Sequence, residues 1–185
     1  VRGLYAITPD TQDTAALLPK VRAALAGGAR VLQYRNKSTD AALRRAQAQA
    51  LVALCQEANA ACIINDDVAL ALEVGADGVH LGEDDGDLAA ARRALGPARL
   101  LGASCYNQLA YAERALAAGA DHIAFGAAYL SSTKPGARRA SLELYQDAAK
   151  LGVPVVAIGG ITPQNAPPLI SAGVAAIAGI SADRK

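Results

Sequence analysis

One pattern governs what this chain can fold into: an Ala- and Leu-rich stretch ends at a glycine, and a short apolar run follows. It recurs as AGGARVLQYR, VGADGVHLG, LGPARLLGAS, AGADHIAFG, LGVPVVAIGG and AGVAAIAGIS. Glycine after a helix supplies a left-handed cap, and the apolar run behind it reads as a strand buried on both faces. The glycines are Gly28, Gly75, Gly96, Gly119, Gly152 and Gly173. Most stand one or two steps of about 22 residues apart, the length of one strand-and-helix unit.

Read in order, the strands are Gly3–Thr8, Ala29–Arg35, Ala61–Asp66, Gly78–Gly82, Leu100–Cys105, His122–Ala128, Val153–Gly160 and Val174–Ser181. Segments between them, such as Asp40–Ala58 and Asn107–Ala118, carry apolar residues at helical spacing. Asp87, Asn107 and Thr162, the last followed by Pro163 at the first helical position, mark helix starts. Eightfold alternation of strand and helix predicts an α/β fold, a (β/α)8 barrel, in a single domain over residues 1–185. A doubly wound open sheet competes, but Thr8, Pro9 and Asp10 follow the first strand where a dinucleotide-binding sheet needs a glycine fingerprint. The stop at Asp183–Lys185 leads us to expect that the last helix lies outside this sequence, and Val1 in place of an initiator Met that residues precede it.

Composition narrows the function classes. A net charge of +1 removes the electrostatic reason to expect nucleic acid, while small anions remain suitable ligands. Cys55, Cys62 and Cys105 are odd in number and lack CxxC spacing, which argues against a disulfide framework and a zinc site and fits a reducing cytoplasm. No apolar run reaches the roughly 18 residues of a membrane span, and no basic-then-apolar leader opens the chain. Homo-oligomerisation stays open.

In a barrel, chemistry gathers where the strands end and the following loops converge. The polar residues fall there. The second strand ends Gln33, Tyr34, Arg35, Asn36, Lys37, and alternation puts Gln33, Arg35 and Lys37 on one side with Leu32 and Tyr34 on the other. Two cations fixed this way suit a phosphate or diphosphate, and a solvated strand end paired with acids is the structural alternative. Asp66 and Asp85 end adjacent strands, so their carboxylates can share a hard divalent cation such as Mg2+. Alternatively, Asp67 and Asp85 cap the next helices. The longest non-periodic loop, YLSSTKPGARRAS, reads as a lid, and Gly159 and Gly160 permit close backbone approach by a phosphate. His80 and His122 build no nucleophilic triad or HExxH zinc motif. His80 reads as a hydrogen-bonded strand residue, His122 as lying at the wrong strand end, and Cys105 as a buried apolar group.

The segments QYRNK, INDD, GADGVHLGEDD, LGASCYN, the loop ending SSTK, VVAIGGITPQN and the terminal IS together resemble the thiamine-phosphate synthase family over essentially the whole chain. The resemblance implies a transferase that joins hydroxymethylpyrimidine diphosphate to thiazole phosphate and releases pyrophosphate. It makes Gln33, Arg35, Lys37, Asn65 and Ser104 ligands of the pyrimidine substrate, and Asp66 and Asp85 ligands of Mg2+. Ser131, Thr133, Gly160, Ile180 and Ser181 would hold the thiazole phosphate, and Lys134 would reach the diphosphate. Arg35, Lys37, Ser104 and Lys134 would then be the catalytic residues, the cations among them stabilising the departing pyrophosphate. Glu83 stands where that family usually has Gln, and Ala127–Ala128 where Gly-Pro is common. A related thiazole tautomerase would need a His at Tyr106, and a non-catalytic phosphate-binding barrel is opposed by Arg35, Lys37, Asp66 and Asp85.

Overall fold

The computed structural model describes residues 1–130 and 136–180. Eight parallel strands, β1 (Gly3–Ile7), β2 (Ala29–Tyr34), β3 (Ala61–Asn65), β4 (Gly78–Leu81), β5 (Leu100–Tyr106), β6 (His122–Gly126), β7 (Val155–Ile158) and β8 (Ala176–Ile180), pair in sequence order. β8 returns to β1, with Gly3 against Ala176 and Ile7 against Ile180. Closure excludes the open sheet. The helices are α1 (Thr14–Ala26), α2 (Ala41–Glu57), α3 (Val68–Val74), α4 (Leu88–Leu95), α5 (Leu109–Ala117), α6 (Leu142–Ala149) and α7 (Pro167–Ser171).

Period-two alternation divides the core. Tyr5, Ile7, Val31, Ile63, Val156, Ala176 and Ala178 fill the barrel interior. The intervening residues, among them Leu32, Tyr34, Cys62, Ile64, Val79 and Leu101, pack outward with the helices. The six junction glycines all adopt positive φ. That geometry reverses the chain from helix to strand without a Cβ clash.

Three local expectations are corrected. Helix α5 begins at Leu109 with Gln108 as its unbonded cap, because a bulge beside Ser104 and a left-handed Tyr106 (φ 56°) displace the start past Asn107. The stretch after Thr162 is a turn rather than a helix. Asn165 Oδ1 accepts from Thr162 N at 2.7 Å, and Pro167 and Pro168, which lack N–H donors, delay α7. Strands six and seven are shorter than expected, β7 stopping before Gly159 and Gly160 at φ 106° and 60°.

Candidate active site

Strand two supplies the best-braced part of the mouth. Gln33 is buried inside the barrel and donates to the Tyr5 hydroxyl at 2.9 Å, while Tyr34 points outward and donates to Gln47 of α2 at 2.7 Å. Beyond them the strand end is clasped by β1's continuation. The Thr8 hydroxyl accepts from Arg35 N at 2.9 Å and donates to Arg35 O at 3.0 Å. Asp10 accepts from the Arg35 guanidinium at 2.6 Å and from Lys37 N at 2.7 Å. Burial opposes charge on Asp10, but these bonds and cations outweigh it and hold its carboxyl below the usual range. Thr8 and Asp10 were legible only as polar residues after the first strand, since the sequence does not state that they face strand two.

Lys37 pairs with Asp66 across the gap from β2 to β3. Asp66 sits at φ 65°, a left-handed position uncommon for a residue with a Cβ, and its N–H bonds His80 O at 2.9 Å. Burial alone would raise the Asp66 carboxyl. Hydrogen bonds from Lys37, Asp85 and Asn65, with the Lys37 charge, bring it below its ordinary value. Asp85 is raised instead, first by burial and then by the Asp66 carboxylate beside it. The two acids do meet, as the spacing predicts, and their opposite shifts are those of anions forced together. Asp67 caps α3 through Leu70 N and pairs with Arg44 at 2.6 Å. Asp85 caps no helix: Asp87 caps α4, and Asp85 accepts from Gly82 N at 2.7 Å. The capping alternative therefore holds for Asp67 only.

A cleft of about 270 Å³ opens here, lined by Lys37, Arg44, Asn65, Asp66 and Asp67 among others. A shallower groove of about 410 Å³ between the carboxyl ends of α1 and α2 holds none of the candidate residues. Two carboxylates with hard oxygen donors and an open side suit Mg2+, which keeps water and phosphate in its remaining positions. Among the described residues no group of three or more His, Cys, Asp or Glu forms a closed cage.

Ser104 stands at the β5 bulge and bonds His80 Nε2 at 2.8 Å. Glu83 is turned away from the acids, accepting from the Tyr111 hydroxyl at 2.8 Å, while its N–H reaches the Tyr106 hydroxyl at 3.2 Å. Across the mouth, Tyr129 N bonds Gly159 O at 3.0 Å, and a Cβ on Gly160 would stand 2.6 Å from Leu130 O. The segment leading into the long loop thus lies directly on the glycine turn after β7. Ile180 ends β8 on the face shared by Ala176 and Ala178, and is exposed. Ser131, Thr133, Lys134 and Ser181 lie outside the described residues.

A closed barrel whose cations, acids and glycine turns gather at the carboxyl ends of its strands defines a (β/α)8-barrel enzyme that handles phosphorylated small molecules. The comparisons make this particular. A family profile described as thiamine monophosphate synthase matches residues 4–182. The thiamine-phosphate synthase of Methylobacillus flagellatus is 57% identical over 182 residues, 98% of this chain and 87% of that protein. That of Chromobacterium violaceum is 57% identical over 96% of this chain and 86% of its own. In three dimensions the thiamine phosphate pyrophosphorylase of Pyrococcus furiosus superposes with a TM-score of 0.86 at 35% identity, covering 97% of this chain and 86% of that one. The chain belongs to the thiamine monophosphate synthase family.

Proposed function

We propose that this chain, as one barrel domain over residues 1–185, is a Mg2+-dependent transferase that joins hydroxymethylpyrimidine diphosphate to thiazole phosphate, yielding thiamine phosphate and pyrophosphate. The observation that carries the reading is a linked set of charges at the mouth: Asp10 holds both Arg35 and the Lys37 backbone, Lys37 pairs with Asp66, Asp66 meets Asp85, and Lys37 and Asp66 line the cleft.

Arg35 presents its guanidinium fork, aimed by Asp10, to one phosphate, and Lys37 exchanges Asp66 for another. Gln33, Asn65 and Ser104 line the pyrimidine's seat. Mg2+ held by Asp66 and Asp85 would supply positive charge opposite the departing pyrophosphate. The pyrimidine carbon–oxygen bond then ionises while Arg35, Lys37 and Lys134 stabilise the negative charge that leaves. The thiazole nitrogen attacks with a free lone pair and needs no strong base. That suits a mouth whose nearest histidine, His80, is held down to about 4 by burial and is neutral at pH 7. The thiazole phosphate would be held by Gly160 after β7 and Ile180 at the end of β8, together with Ser131, Thr133 and Ser181, as the family resemblance implies.

Three buried free thiols support a cytoplasmic location, and no helix among the described residues is long and apolar enough to cross a membrane. Incubating the protein with both substrates and Mg2+ tests the reading. Thiamine phosphate and pyrophosphate should form in equal amounts and cease in excess chelator. Binding of both substrates without turnover would instead favour a phosphate-binding barrel.

A further inference from the structure

Asn165 has no task in that reaction scheme, yet it holds the turn between β7 and α7 together. Its Oδ1 accepts from Thr162 N at 2.7 Å and its Nδ2 donates to Gly160 O at 3.0 Å. Each partner is a backbone group of one fixed polarity, so the amide can stand only one way round. The Asn165 N–H donates to Thr162 Oγ1 at 3.3 Å, and its carbonyl accepts from the Tyr129 hydroxyl at 2.7 Å. Tyr129 belongs to the segment after β6, so Asn165 joins two of the loops that follow strand ends.

The glycine turn takes its polarity from these contacts. A trans peptide is planar, with its C=O and N–H pointing in opposite directions. Asn165 Nδ2 takes the Gly160 carbonyl, which aims the Ile161 N–H away from Asn165. Tyr129 N takes the Gly159 carbonyl at 3.0 Å, which aims the Gly160 N–H away from the loop after β6. Both carbonyls are tied back, and neither N–H has an acceptor among the described residues. Gly160 sits at φ 60° and has no Cβ to resist rotation. Without the Asn165 bond, the peptide after it would present its carbonyl to an anion as readily as its N–H.

We propose that Asn165 is a positioning residue that fixes the Ile161 N–H, beside that of Gly160, as a donor to the phosphate of the thiazole substrate. The proposal rests on that phosphate binding at the Gly160 turn. Under it, the phosphate meets backbone donors whose direction is set before it arrives, so less ordering is left to be done on binding.

Thiazole phosphate added to the unmodified protein should move the Gly160 and Ile161 amide signals downfield in 1H–15N spectra, the mark of a charged acceptor. Asn165→Ala should suppress the Ile161 shift and weaken thiazole phosphate binding about tenfold in calorimetry, the order of one charge-assisted bond, with pyrimidine diphosphate binding changed by less than about twofold. Tyr129→Phe removes only the hydroxyl that braces Asn165, and should show the same selectivity at about threefold. The proposal can therefore fail on that variant even if the Asn165 variant does not fold. An Ile161 signal that stays still while Gly160 moves overturns the proposal and leaves the phosphate site in place. If neither signal moves, the site assignment and the proposal fall together. Equal losses for both substrates, or affinity kept in both variants, also overturn it.

Discussion

The two ends of the barrel use the same residue types for opposite purposes. At the floor, where helices return to strands, Asp77 accepts from Cys62 N at 2.7 Å and Asp121 from Leu101 N at 2.8 Å. Arg92 of α4 donates to Gly96 O and Arg99 O at 2.8 Å, to Gly119 O, and pairs with Asp121. Each charge there is spent on backbone groups of neighbouring units, which have no alternative partner once water is excluded. At the mouth, Arg35 pairs with Asp10 and Lys37 with Asp66, side chain to side chain, and Lys37 is the more exposed of its pair. A ligand phosphate can displace such partners. It cannot displace a carbonyl of the fold.

This contrast is sharpest in the acids of the mouth. Asp66→Ala or Asp85→Ala should cut thiamine phosphate formation by about a hundredfold or more, because under the proposed reading each removes a ligand of Mg2+. Thermal stability should hardly change. A variant that keeps full rate in Mg2+ would remove the metal from the reaction and merge the two ends into one structural role.

The floor should answer in the opposite sense. Arg92→Ala removes the donor to the carbonyls of Gly96, Arg99 and Gly119 and one of the two partners of Asp121, and we expect a loss of about 2–3 kcal/mol in urea unfolding. Turnover per folded molecule should stay near that of the unmodified protein. If the rate fell and stability did not, the division between the ends would be wrong.

Arg35→Ala should weaken pyrimidine diphosphate binding by about tenfold, the order of one charge-assisted contact, and thiazole phosphate binding far less. Calorimetry with each ligand separately checks this, and equal losses would place both substrates on the same cations.

The smallest effect belongs to Asp10. Its folded carboxyl is held below the ordinary value, so its stabilisation is complete above the unfolded value, near 3.9, and is lost as pH falls through the folded one. Asp10→Asn should therefore flatten the acid limb of a stability-against-pH curve and weaken pyrimidine diphosphate binding by about threefold, through a less well aimed Arg35. An unchanged acid limb would show that the Asp10 contacts contribute nothing measurable.

The histidine pair gives the floor-and-mouth contrast its middle term. His122 begins β6, far from the strand ends, as the sequence pattern predicts. Its ring converges with His80 over Gly102, and His80 bonds Ser104 at the mouth. A helix cap or a strand register is local and is written in a few consecutive residues. A contact spanning three strands is not.

What the chain dictated by itself follows from short-range rules. Gly28, Gly75 and the later junction glycines marked each helix-to-strand reversal, because only a residue without Cβ takes positive φ at little cost. Period-two alternation placed Gln33 inward and Tyr34 outward, as found. Adjacent strand order brought Asp66 to Asp85. Tertiary structure alone decided the pairings between units: Thr8 and Asp10 on Arg35, the Tyr111 hydroxyl on Glu83, and Gly160 beneath Leu130 O. Those choices depend on barrel closure and on a one-residue bulge beside Ser104, which set distances between segments 20 or more positions apart. Propensity and periodicity act over a turn or a strand, and they carry no information at that range.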